Sequence, residues 1–255
     1  MIVCKLQGGL GNQLFQYASA ISIAKHNLVD VEFVWESLQT NNQWPLTLDK
    51  FPNVDLKMFN SFYNGFHTIS DNFKYKKIVT QDKNLFLNGY WQSEKYFKEY
   101  REEILELFRP TTDTLSECCD VFDSNLKYTS VHIRRGDYLN LPDYHPTCTM
   151  EYYNKAFEVL KDKTDKFIIF SDDIKWCKKT FIGEEFTFSE NRKDVDDLYL
   201  MSLCDNHIIA NSSFSWWGAW LNVNVDKVVI APTKWFGEQL KSNTGDIIPK
   251  GWIKI

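Results

Sequence analysis

An α/β fold on parallel sheets is what this sequence predicts, and three observations carry the expectation. The chain opens on a strand, residues 2–6, that runs into a glycine turn and then a helix. From Tyr128 onward, strand-like and helix-like segments alternate, the pattern of parallel strands joined by right-handed crossovers. Finally, the residues just past the expected strand ends are chemically coherent: cations, carboxylates, hydroxyls and aromatics at 134–137, 171–173, 211–214 and 232–235. Ligands on parallel sheets bind beyond the carboxyl ends of the strands.

Taking the elements in order, residues 2–6 read as a buried strand, and Gly8, Gly9 and Gly11 as the turn after it. Leu14, Tyr17, Ala18 and Ile21 then repeat at helical spacing, with Phe15 beside the stripe. Residues 31–35 read as a second strand, 36–44 as a polar stretch, and 51–65 show little periodicity. A strand over 85–91 ends in a turn, after which Ser93 caps a helix over 94–108, ended by Arg109-Pro110. Its apolar face is Phe97, Tyr100, Ile104, Leu105 and Phe108. The polar, acidic segment 111–127 reads as the connection between two halves, 1–125 and 126–255, with Leu115, Val121 and Phe122 able to form a short docked helix. Strands follow at 128–133, 166–170, 207–210 and 227–231, with helices at 149–160, 174–181, 195–204 and 213–221.

Composition narrows the function classes. With 255 residues, 44% hydrophobic and 25% charged, the chain can fill one large or two ordinary domains. A net charge of -5 excludes broad nucleic-acid binding by a basic face and leaves room for a local basic pocket. Aromatics at 16% suit sugar or base clefts as well as bulky cores. The six cysteines form no CxxC pair, so reduced thiols are expected. Glycine arrives before any apolar run of signal length, and no stretch approaches about 18 apolar residues. A cytoplasmic protein is expected, at most loosely attached to the inner membrane surface.

The segment YTSVHIRRGDY, residues 128–138, draws most attention. Alternation along the strand points His132 and Arg134 one way and Ile133 and Arg135 the other. Two neighbouring arginines then do two jobs: one offers its fork to a phosphate, the other pairs with a carboxylate or carbonyls behind it. In the glycine turn, Gly9 and Gly11 allow backbone N–H groups close to a ligand, although neither a Walker loop nor a dinucleotide fingerprint is present. Asn12 and Gln13 either bond a sugar or phosphate or cap the helix. Asp172 and Asp173 either accept from ribose hydroxyls or a guanine edge, or cap the next helix. Asp194, Asp196 and Asp197 are natural dipole partners in a first helical turn. Hydroxyls and free amides at 210–214 make a phosphate cradle, while Trp216, Trp217 and Trp220 read as core. No His-containing metal cluster is visible, and no metal is expected.

Together QGGLGNQLFQYA (7–18), GYWQSEKYF (89–97), VHIRRGDY (131–138), FSDD (170–173) and ANSSFSWWGAWL (210–221) resemble the α-1,2-fucosyltransferases of bacteria and animals, in order and approximate spacing. The HxRRGD signature is similar to that of a wider superfamily that includes α-1,6 and protein O-fucosyltransferases. This resemblance implies a GT-B type enzyme, two Rossmann-like domains facing across a cleft: an acceptor-side domain, 1–125, and a GDP-β-L-fucose-binding domain, 126–255. It implies inverting transfer to the 2-hydroxyl of a galactoside glycan, as in O-antigen synthesis, with no metal and no cofactor besides the donor. By position, Arg134 matches the arginine on the β-phosphate, His132 the motif histidine near the nucleotide, and Asp197 a guanine-reading carboxylate. Ser212, Ser213 and Phe214 match the loop around diphosphate and base, and Asn12 would face the donor. For the catalytic base, Asp137 is the motif candidate or else a partner of Arg135; Asp143 and His145 stand behind it. The alternatives are a fucosyltransferase of α-1,3 or α-1,6 linkage, or a non-catalytic GDP-sugar-binding protein of this fold.

Overall fold

A computed structural model describes residues 1–35, 44–61, 65–81, 83–240 and 244–255. The polar stretch expected at 36–44 lies, apart from Trp44, outside the described residues, as do 62–64 of the aperiodic stretch. The chain forms two compact units, Met1–Thr111 with Ser242–Pro249 and Thr112–Lys241 with Lys250–Ile255.

In unit 1, four parallel strands take the order β2-β1-β4-β3: β1 Ile2–Lys5, β2 Val31–Val34, β3 His67–Ser70 and β4 Leu85–Asn88. Helix α1, Leu10–Asn27, connects β1 to β2 and is buried on nearly all sides down to Ala24. The sheet order reverses between β1 and β4, so the turns after these two strands lie side by side. The edge strand β3 escaped the sequence reading because it is largely exposed and carries no apolar alternation. A further difference is the helix expected over 94–108. The structure has two short 3₁₀ turns, Glu94–Tyr96 and Lys98–Tyr100, and then α2, Arg101–Leu107. Ser93 does cap, accepting from the Lys95 N–H, but Phe97 at φ -138° breaks the helical run. Its apolar face survives, with Phe97, Ile104 and Phe108 fully buried.

Unit 2 is a six-stranded, all-parallel sheet of order β10-β9-β8-β5-β6-β7. Its strands are β5 Tyr128–Ile133, β6 Lys166–Ser171, β7 Phe186–Phe188, β8 Asn206–Ile208, β9 Val229–Ala231 and β10 Ile253–Lys254. Relabelled from its own first strand, this is the doubly wound order 6-5-4-1-2-3, with the switch point between β5 and β8. β5 is buried along its whole length, as a central parallel strand covered on both faces must be. The helices α4 Met150–Leu160, α5 Ile174–Thr180, α6 Asp194–Leu203 and α7 Ser213–Leu221 fall where the periodicity places them. The α/β, GT-B-type expectation of two parallel-sheet units is what the structure has.

Strands β7 and β10, three and two residues long, are too short to leave a periodic signal. The division falls at Thr111–Thr112, earlier than the 125/126 boundary drawn from composition. Helix α3, Thr112–Cys119, belongs with unit 2, where the Thr114 hydroxyl donates to Asp196 at 3.3 Å and the Cys118 thiol to the Asp196 carbonyl. Trp216 and Trp217 are fully buried and Trp220 nearly so, the core role expected. All six cysteines are free.

Candidate active site

At the switch point of unit 2, Arg134 leaves β5 into an arrangement of carboxylates. Its Nε lies 3.2 Å from Asp172 Oδ2 and its Nη2 donates to Asp137 Oδ1 at 2.7 Å. Asp172 also accepts the Arg135 backbone N–H through Oδ1, at 2.9 Å. Gly136 makes this possible: a Cβ there would sit 2.6 Å from Asp172 Oδ2. Arg135 goes the other way, donating Nε to Asp173 Oδ2 at 3.1 Å and laying its guanidinium 3.9 Å above the Trp176 ring. The two arginines therefore divide as strand alternation requires. Arg134 is fixed on two sides as a planar fork, and Arg135 braces α5.

The protein partners of the three aspartates are clear. Asp137 pairs with Arg134, not with Arg135. Of the aspartate pair, Asp173 is the helix cap, accepting from the Trp176 N–H, whereas Asp172 holds both arginine positions in place.

On the neighbouring strand, β8 runs on through Ala210 and Asn211 to α7, which starts at Ser213 with Ser212 as its cap. The Ser212 hydroxyl accepts from the Phe214 N–H at 3.3 Å, so that amide serves the helix and is not presented outward as the sequence suggested. His132 is buried, with Nδ1 2.9 Å from the Ser215 hydroxyl and its ring 5.6 Å from Phe214. Burial, and then the Arg134 charge, push it down to about 3, so the imidazole is neutral. His132, Arg134 and the 212–214 turn thus come together across β5 and β8.

The sequence reading missed the polar scaffold below them. Asn211 donates to the carbonyls of Pro146 and Trp235, tying two loops to the end of β8. The Tyr138 hydroxyl donates to the Asn211 carbonyl, and the Tyr138 ring stacks on His145 at 4.9 Å. Tyr153 donates to the His132 carbonyl at 3.0 Å. Tyr138 and Asn211 lie in segments that the sequence singles out and His145 is one of its candidate bases, but the bonds of Asn211, Tyr138 and Tyr153 reach partners far along the chain and leave no local signal.

Asp197 sits elsewhere, in the first turn of α6 beside Ser189 at the end of β7, two strands along the sheet from β5. Ser189 donates to it at 2.5 Å, yet burial pushes its carboxyl up to about 6.

In unit 1, Gly8 takes φ +77°, a left-handed conformation suited to glycine, and Gly9 caps α1. Gly11 lies inside the helix, not in the turn where the sequence reading put it. Asn12 does not cap α1; its Oδ1 accepts from Gln92 Nε2 at 2.8 Å, joining the turns after β1 and β4. Gln13, fully buried, staples the Gly8 and Pro45 carbonyls and the Thr47 N–H, a scaffold role that leaves nothing for a ligand. Gln16 does likewise for Gln7 and Gly89. Among the described residues no group of three or more His, Cys, Asp or Glu could hold a metal ion, and no helix is long and apolar enough to cross a membrane.

The chain is 35% identical to an alpha-1,2-colitosyltransferase of Escherichia coli, covering 100% of this chain and 99% of that protein. It is 33% identical to the E. coli O-antigen biosynthesis glycosyltransferase WbnK, over 98% and 99% of the two chains. In fold it is similar to NodZ α-1,6-fucosyltransferase, solved from Bradyrhizobium and also soaked with GDP-fucose. For the soaked structure the TM-score is 0.53 at 14% identity, over 86% of this chain and 92% of that one. A glycosyl transferase family 11 model matches residues 1–255, and the chain belongs to that family.

Proposed function

We propose that this protein transfers L-fucose from GDP-β-L-fucose to the 2-hydroxyl of a terminal β-galactoside, with inversion, during assembly of a surface glycan such as O-antigen. The observation that carries the reading is the Arg134 fork, fixed by Asp172 and Asp137 at the switch point of unit 2. Unit 2 is then the donor-binding unit, and unit 1 serves the acceptor.

In the reaction the acceptor oxygen bonds to fucose C1 as the bond from C1 to the β-phosphate oxygen breaks. Negative charge grows on the departing GDP. A guanidinium already held in place stabilises that charge without reorganising, and one such donor contributes about 3 kcal/mol to lowering the barrier. Neutral His132 and the start of α7 flank the nucleotide, and Asp172 works through Arg134. Asp137, one oxygen engaged by Arg134, takes the acceptor proton on the other. Asp197 is assigned to the guanine edge. No cofactor or metal takes part, and the enzyme works in the cytoplasm, loosely at the inner membrane face.

A second donor has support, since one relative is named for colitosyl transfer. Colitose is fucose without its 3-hydroxyl, so the same diphosphate chemistry applies. Incubating the protein with GDP-fucose or GDP-colitose and a panel of β-galactosides in EDTA, then reading product linkage by NMR, tests the proposal. An α-1,2-linked fucosyl product is expected; GDP binding without transfer, or another linkage, defeats it.

A further inference from the structure

His145 has no task in the reaction above, yet it is built into the Arg134 cluster. Its ring stacks on Tyr138 with centroids 4.9 Å apart and planes at 21°, and meets the edge of Phe236 at 5.7 Å. The same Tyr138 ring carries the Arg134 guanidinium 5.3 Å from its centroid. The backbone holds the loop: His145 N–H donates to Leu141, Gly237 N–H to Tyr144, and Gln239 N–H to Asp143. A Cβ on Gly237 would sit 2.1 Å from the Asp143 carbonyl oxygen, so this packing depends on the glycine. The imidazole is therefore clamped between two rings on a braced loop.

Its two nitrogens are not equivalent. Nδ1 is buried without a hydrogen-bond partner, while the residue as a whole is only half-buried. A buried N–H without an acceptor is rarer and costlier than a buried lone pair without a donor. The proton accordingly belongs on Nε2. The charged groups that face the ring are Asp137 and Arg134, and Phe236 and Tyr138 add none; burial dominates and holds the ring below the ordinary histidine range.

From this placement we infer that His145 is a neutral hydrogen-bond donor, presenting Nε2–H to an oxygen of the sugar diphosphate beside Arg134. This rests on the donor-site reading above and adds a residue to it. A base would need its lone pair on Nε2, the arrangement that the buried Nδ1 disfavours.

Two substitutions separate the roles. His145→Phe keeps the ring stack and removes the donor, and His145→Gln returns an N–H near the Nε2 position. We expect H145F to lower kcat/KM for GDP-fucose about a hundredfold, with GDP binding by calorimetry weakened and acceptor KM unchanged. H145Q should recover to within about tenfold of wild type. In the unmutated protein, ¹⁵N NMR should show the Nε2–H tautomer and a shift of that nitrogen on adding GDP, a readout independent of how the variants fold. Wild-type GDP affinity and kcat/KM in H145F overturn the assignment. So does equal loss in both variants together with disappearance of the acid limb of the pH profile, the mark of a base. If wild type itself neither binds GDP nor transfers fucose, the donor-site reading has failed first and this inference falls with it.

Discussion

Asp172 sets one carboxylate oxygen 3.2 Å from the Arg134 Nε and the other 2.9 Å from the Arg135 backbone N–H, so one side chain fixes both the fork and the turn that delivers it. Asp172→Asn should lower transfer more than stability. The stability loss should be about 1 kcal/mol, less than a fully buried charge-assisted bond contributes, because both side chains are about a quarter exposed. Gly136→Ala pushes at the same carboxylate from the other side and should mimic it. Kinetics beside urea melts would show this; a variant of either kind with full activity would mean that Arg134 holds its place unaided.

Arg134→Lys keeps the charge and loses the planar fork. Transfer should fall about a hundredfold, since a single ammonium cannot keep both carboxylate contacts and meet a phosphate oxygen. Single-turnover rates on folded protein check the number, and near-normal turnover would remove Arg134 from the chemistry.

The adjacent arginine should behave in the opposite way. Arg135→Met loses the Asp173 pair and the stack on Trp176, together about 1–2 kcal/mol of stability. Activity per folded molecule should stay within a few-fold. A collapse of kcat with an unchanged melting midpoint would contradict the division of labour between the two.

Asp197 and the buried histidines act in opposite senses on stability against pH. Asp197, raised to about 6, keeps its proton in the native state between about pH 4 and 6, where an unfolded aspartate has lost it. Its contribution is present at low pH and lost as pH rises through 6, by about 1.4 kcal/mol per unit. His132 and His207, each pushed down to about 3 chiefly by burial, stay neutral while the unfolded chain takes up protons below about 6.5. Their contribution is lost as pH falls. Asp197→Asn should therefore gain on wild type steadily from pH 4 to 6 in denaturant melts; parallel curves would refute the buried, protonated aspartate.

Much of this molecule was legible in its residues, for physical reasons that differ by element. Helix α7 announced itself through hydroxyls at its start and tryptophans at helical spacing, and β5 through a β-branched run ending in charge. Arg134 and Arg135 could be given separate tasks because a strand has a period of two. What stayed hidden depends on partners far away in sequence. Asp137 lies two residues from Arg135 and three from Arg134, and only the turn at Gly136 decides which it meets. Gln13 looked like a ligand group until Pro45 and Thr47 closed on it. His145 was legible only as a candidate base on a loop; its stack, which needs Tyr138 and Phe236 together, was not.

The chain visits its two units unequally: Ser242–Pro249 returns to unit 1 before β10 completes the sheet of unit 2. Within unit 1 that return is fastened by Asp246, which accepts the Tyr75 N–H at 2.9 Å and pairs with Lys95. On the ribosome, unit 1 waits for the segment ending at Pro249, and unit 2 for β10. Until then the nascent sheet of unit 2 keeps β9 as an open edge, and a pause late in translation would be the moment of greatest exposure to aggregation.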